Sequence, residues 1–113
     1  MKVPMSAPDL TDSEIAAVNE VLHSSYLSIG PKIVQFEEAI AAYCGTEYAI
    51  GVNSGTSGLH LAMIAGGIGD DDEVITPSFS FIASANAVVY ERARPVFVDI
   101  DLQTGNLNPE LIE

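Results

Sequence analysis

The residues whose types and spacing suit chemistry are Ser54, Gly55, Thr56 and Ser57, set between an apolar stretch and an apolar run that opens at Leu59. Residues 48–60 read as a short strand, a tight turn of small residues and the start of a helix. In an α/β sheet such a turn lies outside the carboxyl end of a strand, where ligands bind. The first N–H groups of a helix have no internal acceptor, and the helix dipole favours an anion beside them. Three hydroxyls add donors, and Gly55 lets the backbone approach a ligand closely. Residues 54–57 are therefore a candidate phosphate cradle. The simpler alternative is a Ser/Thr-capped helix start with no ligand.

Two other phosphate motifs fit poorly. The full G-x-G-x-x-G of a dinucleotide site is missing, and residues 73–77 end in no ribose-binding acid. Leu59 and His60 follow Gly58 where a P-loop would carry Lys and Ser/Thr.

The elements that must position this turn follow from periodicity and end signals. Residues 1–10 are extended, because Pro4 and Pro8 disfavour helix before them. Thr11 and Glu14 form a capping box, and Ile15, Val18 and Leu22 predict an amphipathic helix to about Ser24 with His23 in its last turn. Gly30-Pro31 opens a second helix with buried face Ile33, Phe36, Ile40 and Tyr43, stopped by Gly45. Cys44 beside that face reads as a small core residue. Residues 59–65 are apolar almost all round, which predicts a helix buried between layers, ended by Gly66-Gly67. Residues 74–77 and 94–99 read as two further buried strands joined by a helix to about Tyr90. Strand, helix, strand, helix, strand is the pattern of parallel βαβ units, hence an α/β fold. Asp70 to Glu73 reads as a solvated acidic turn, without the spaced ligands and Gly of a calcium loop. Asn108-Pro109 gives an N-cap and N1 proline, a helix start.

The chain has 113 residues, 48% of them hydrophobic, enough for a domain core. Its formal net charge is −12 with four Lys and Arg, so nucleic acid and anionic membranes are poor partners. Cys44 is the single cysteine, which excludes an intrachain disulfide and suits a reducing compartment; cytoplasmic is the default. No span has transmembrane length. A helix beginning at residue 108 is too short to nucleate alone, so the chain reads as the N-terminal piece of a longer protein.

Taken in order, the motifs Ser28-Ile29-Gly30-Pro31, Asn53-Ser54-Gly55-Thr56-Ser57-Gly58-Leu59-His60-Leu61-Ala62, residues 72–87 and Pro95-Val96-Phe97-Val98-Asp99-Ile100-Asp101 resemble the N-terminal part of the DegT/DnrJ/EryC1/StrS sugar aminotransferases. The resemblance covers essentially the whole chain. It implies a fold type I, three-layer αβα large domain with a mostly parallel sheet, with residues 1–47 as N-terminal helices and 48–113 as the start of that sheet. It further implies pyridoxal 5'-phosphate (PLP) as cofactor, with Ser54, Gly55, Thr56 and Ser57 at its phosphate and Phe81 stacked on its pyridine. Phe79 is left to core packing, and Asn86 to an internal hydrogen bond. Gly30 lies in a loop that nears the substrate in similar enzymes.

The family's Schiff-base lysine and the carboxylate partner of the pyridine nitrogen lie beyond residue 113 by this resemblance. Lys2 and Lys32 fall outside the cofactor motifs, and Asp99 and Asp101 look structural. The implied full-length activity is amino transfer from an amino-acid donor to a keto group on a nucleotide-linked sugar, in a cytoplasmic homodimer; the 113 residues alone are expected to be inactive. Alternatives are a PLP-dependent sugar dehydratase of the same family, another fold type I enzyme, or a truncated non-catalytic pairing partner.

Overall fold

The computed structural model describes residues 3–112, so Lys2 lies outside the described residues. The chain divides into two compact units, Met1–Gly51 and Val52–Glu113.

The first unit holds helices α1 (Asp12–Leu22) and α2 (Pro31–Cys44). α1 begins where the sequence predicts. The Thr11 hydroxyl accepts from the Ser13 N–H, and the Glu14 carboxylate accepts from the Thr11 N–H at 2.6 Å. The Thr11 hydroxyl also donates to Glu14, and this bond, followed by the backbone one, holds the Glu14 carboxyl at about 2, below its ordinary 4.5. A carboxyl held low supports the fold only while ionised. The cap's contribution is thus complete above about pH 4.5 and fades as pH falls through about 2. In Thr11→Ala the Glu14 titration midpoint, followed by carbon-13 NMR, should move back up toward 4.5. α2 has Pro31 at its first turn and Gly45 in the left-handed conformation (φ 70°) at its end, as expected.

The expected buried faces do not form. α1 buries no residue and α2 buries Ala41 alone; Phe36 and Ile40 are exposed, and Tyr43 is 91% exposed. Cys44 is exposed as well, not a core residue. Helical spacing correctly groups these side chains on one face, but spacing does not supply the layer that would cover it.

The second unit contains α3 (Gly55–Ala65), β1 (Glu73–Pro77), α4 (Ala83–Tyr90) and β2 (Arg94–Val98). β1 and β2 pair in parallel with Glu73 opposite Arg94 and Pro77 opposite Val98, giving an α/β arrangement. α4 lies on these strands and contacts α3. Its inward stripe, Ala83, Ala87 and Val88, forms the core with Ala93, Val98 and the buried Thr76. The small residues of that stripe let the helix approach the sheet closely.

Three readings are corrected here. Residues 48–52 are not a strand, because no strand among the described residues pairs with them; the Gly51 N–H donates instead to the Glu37 carboxylate at 2.7 Å. α3 forms as expected but buries no residue, since α4 covers only one side of it. Residues 108–112 make a single 3-10 turn, Pro109–Leu111, started by the Asn108 side chain accepting from the Glu110 N–H at 3.0 Å.

The acidic turn is tied down by Arg92, just before β2, and by Arg94, the first residue of that strand. Arg92 makes a two-pronged pair with Asp70 at 2.7 and 2.8 Å, which lowers the Asp70 carboxyl, and Arg94 pairs with Glu73. Asp101 organises the turn after β2: its carboxylate accepts from the N–H groups of Gln103 and Thr104 and from the Thr104 hydroxyl. Those Thr104 bonds hold its carboxyl low. No helix among the described residues is long and apolar enough to cross a membrane.

Candidate functional site

The turn at residues 53–57 is built by side chains that fix the start of α3. Ser54 is the N-cap, in extended conformation (φ −161°), and its hydroxyl oxygen accepts from the Ser57 N–H at 3.1 Å. The Ser57 hydroxyl donates to Asn53 Oδ1 at 2.7 Å and lies 3.0 Å from the Ser54 hydroxyl. The first intrahelical bond of the turn runs from the Gly58 N–H to the Ser54 carbonyl at 3.1 Å. Among the described residues the N–H groups of Gly55 and Thr56 meet no acceptor, as the geometry of a helix start requires.

This arrangement can bind an anion. Two N–H donors lie at the positive end of the helix dipole, and the half-buried Thr56 adds a hydroxyl donor to the same turn. A Cβ built on Gly55 would meet no atom within 4 Å, so the face beside it is open to a ligand. The structure thus brings Ser54, Gly55, Thr56 and Ser57 together in one turn. Their roles differ from those of a plain hydroxyl cluster. Ser54 and Ser57 spend hydrogen bonds on shaping the turn, while Gly55 and Thr56 keep donors free.

Sequence reasoning passed over Asn53, whose carboxamide oxygen anchors the Ser57 hydroxyl. The signal was its position four residues before Ser57, the reach of a local side-chain bond at a helix start. It also passed over His60, which reaches Glu91 across 31 positions of sequence.

Phe81 lies just before α4 and is 76% exposed. With Pro77, Ile82, Ala85 and Phe97 it lines a cavity of about 160 Å³. Its ring is therefore not packed in a core and presents area for stacking. Phe79, expected to pack, is exposed too. Asn86 is half-buried and its side chain makes no hydrogen bond among the described residues, contrary to expectation.

In the first unit, Gly30 is the N-cap of α2 and, with Tyr26, Ser28 and Lys32, lines a cavity of about 240 Å³. A Cβ at Gly30 would stand 2.8 Å from the Tyr26 Cβ, so close packing against Tyr26 by itself requires glycine there. Lys32 pairs with Glu20 at 3.4 Å.

Comparison with known proteins identifies the family of the chain as a whole. The chain is 47% identical over 113 residues to GDP-perosamine synthase of Caulobacter vibrioides, covering 99% of the chain and 30% of that protein. It is 46% identical over 111 residues to the spore coat polysaccharide biosynthesis protein SpsC of Bacillus subtilis, covering 98% of the chain and 28% of the relative. The PLP form of Spr1654 from Streptococcus pneumoniae, described as a sugar aminotransferase, superposes with a TM-score of 0.87 at 33% identity, over 98% of this chain and 28% of that one. The chain thus spans about three-tenths of the length of these proteins. The sequence model of the DegT/DnrJ/EryC1/StrS aminotransferase family matches residues 8–113, and this chain belongs to that family.

Proposed function

We propose that this chain is the N-terminal part of a PLP-dependent aminotransferase that acts on a nucleotide-linked keto sugar. The observation that carries the reading is the start of α3, where Gly55 and Thr56 offer free N–H groups in a turn locked by Ser54, Ser57 and Asn53. The PLP- and PMP-bound forms of Spr1654 support the cofactor class, and the name GDP-perosamine synthase supports a nucleotide-linked sugar.

The residues present fit the phosphate end of the cofactor. Gly55 and Thr56 would bind its oxygens through N–H and hydroxyl donors, with Ser54 and Ser57 holding the turn that aims them. Phe81 would stack on the pyridine ring and keep water from that face, as its exposed ring allows. The loop at Gly30 would border the sugar substrate. When bound, PLP supplies an electron sink for the carbon that exchanges its amino group. These residues bind and orient; none of them moves a proton in this reading. The lysine and carboxylate that complete the site belong to the remainder of a longer enzyme, which we take to be a cytoplasmic homodimer.

The test is incubation of the full-length protein with PLP, glutamate and a panel of keto-sugar nucleotides, followed by mass spectrometry. An amino-sugar nucleotide and 2-oxoglutarate in equal amounts are expected. Loss of water from the sugar without amine incorporation would identify a dehydratase instead and overturn the reading.

A further inference from the structure

His60 is the single titratable side chain of α3, whose other residues are small, hydroxylic or apolar. Its Nε2 lies 2.5 Å from Oε1 of Glu91, the residue that caps the end of α4. A carboxylate oxygen accepts, so Nε2 carries the proton in this bond. The Tyr90 ring meets the imidazole edge-on, with centroids 5.2 Å apart and planes at 65°, which limits rotation of the ring. Both partners are half-buried, where such a bond is less screened than at an open surface.

Among the described residues no other side-chain hydrogen bond or ion pair joins α3 to α4 or its cap, and non-directional contacts resist separation of the helices more than sliding or rotation. A charge-assisted hydrogen bond has a defined length and direction. It therefore sets where along its axis α3 sits. His60 also follows Thr56 by four residues, on the same face of the helix. Any shift at His60 is carried rigidly along this single turn to the free N–H groups of Gly55 and Thr56.

We propose that His60, through Glu91, is a positioning residue that fixes α3 so that its N-terminal turn holds an anionic phosphate in register. The proposal rests on the PLP-phosphate reading above. It assigns the pair a role in ligand geometry rather than in stability alone.

The test compares PLP with pyridoxal, which lacks the phosphate, as ligands of the full-length protein measured by equilibrium dialysis. His60→Ala and Glu91→Ala are each expected to weaken PLP about tenfold, a 1.4 kcal/mol change, while leaving pyridoxal affinity unchanged. Glu91→Gln keeps an acceptor for Nε2 and should retain most of the PLP affinity. Thr56→Ala serves as the reference for a direct phosphate contact. If both alanine variants bind PLP like the parent while Thr56→Ala is weakened, the positioning role is wrong and the cofactor reading stands. Equal weakening of PLP and pyridoxal would mean general loosening of the fold and would also overturn the proposal. If Thr56→Ala itself is unaffected, the Thr56 side chain makes no phosphate contact, the assigned geometry of the turn is wrong and the proposal fails with it.

Discussion

The isolated 113-residue chain should convert no keto-sugar nucleotide when incubated with PLP and glutamate. The groups it contributes bind or orient, whereas transamination needs an amine that attacks the cofactor and then shuttles a proton. Lys32 is engaged by Glu20 at 3.4 Å, and neither it nor Lys2 lies in the proposed cofactor motifs. The chain alone should also fail to fold as a stable monomer. Fixing the backbone costs roughly 1–2 kcal/mol per residue, and this must be offset by burial. Yet among its described residues the first unit buries only Ala41, and Ile15, Val18, Leu22, Phe36 and Tyr43 all remain exposed. Exposed apolar faces on this scale lead to self-association. A cooperative unfolding transition from a dilute monomer, seen by calorimetry and ultracentrifugation, would contradict the folding part. Turnover that disappears in Lys2→Ala or Lys32→Ala would contradict the catalytic part.

In the full-length protein, Thr56→Ala and Phe81→Ala should each release PLP more readily. Thr56 would lose a hydrogen bond to a charged group, worth about 1.5–3 kcal/mol, or roughly one to two decades of affinity. Phe81 would lose an offset stack of about 0.5–1.5 kcal/mol together with the area its ring buries. Ser54→Ala provides the informative contrast. Its hydroxyl caps the Ser57 N–H at 3.1 Å, so its loss should lower thermal stability as well as affinity. Dialysis against buffer with absorbance of the retained cofactor measures all three. Parent-like retention in both Thr56→Ala and Phe81→Ala would show that the two roles are misassigned.

What the sequence showed and what it hid divide along one physical line. Thr11 with Glu14, Pro31, Gly45 and Ser54 mark helix ends by bonds or dihedrals within four residues, and each appears where its type predicts. β1 and β2 were legible because each is short, apolar and bounded by turn residues. The segment 48–52 carries the same local pattern but has no ladder partner among the described residues, and pairing is not a local property. The same is true of burial. Phe36 and Ile40 share a face by spacing, but whether that face is covered depends on layers that spacing does not describe. In the candidate site, Ser54 to Ser57 were readable as one turn. His60 with Glu91 was not, because the two residues are 31 positions apart and only packing of α3 on α4 joins them.

The central claim is that the free N–H groups of Gly55 and Thr56 hold the phosphate of PLP. Nitrogen-15 labelling of glycine and threonine in the full-length protein, read by transverse-relaxation-optimised NMR, tests it directly. Addition of PLP should move the Gly55 and Thr56 amide proton signals downfield, as a charged acceptor forms hydrogen bonds to them. Pyridoxal, without the phosphate, should leave them near their original positions. Amide signals that stay unmoved at saturating PLP, or that respond equally to pyridoxal, would contradict the account.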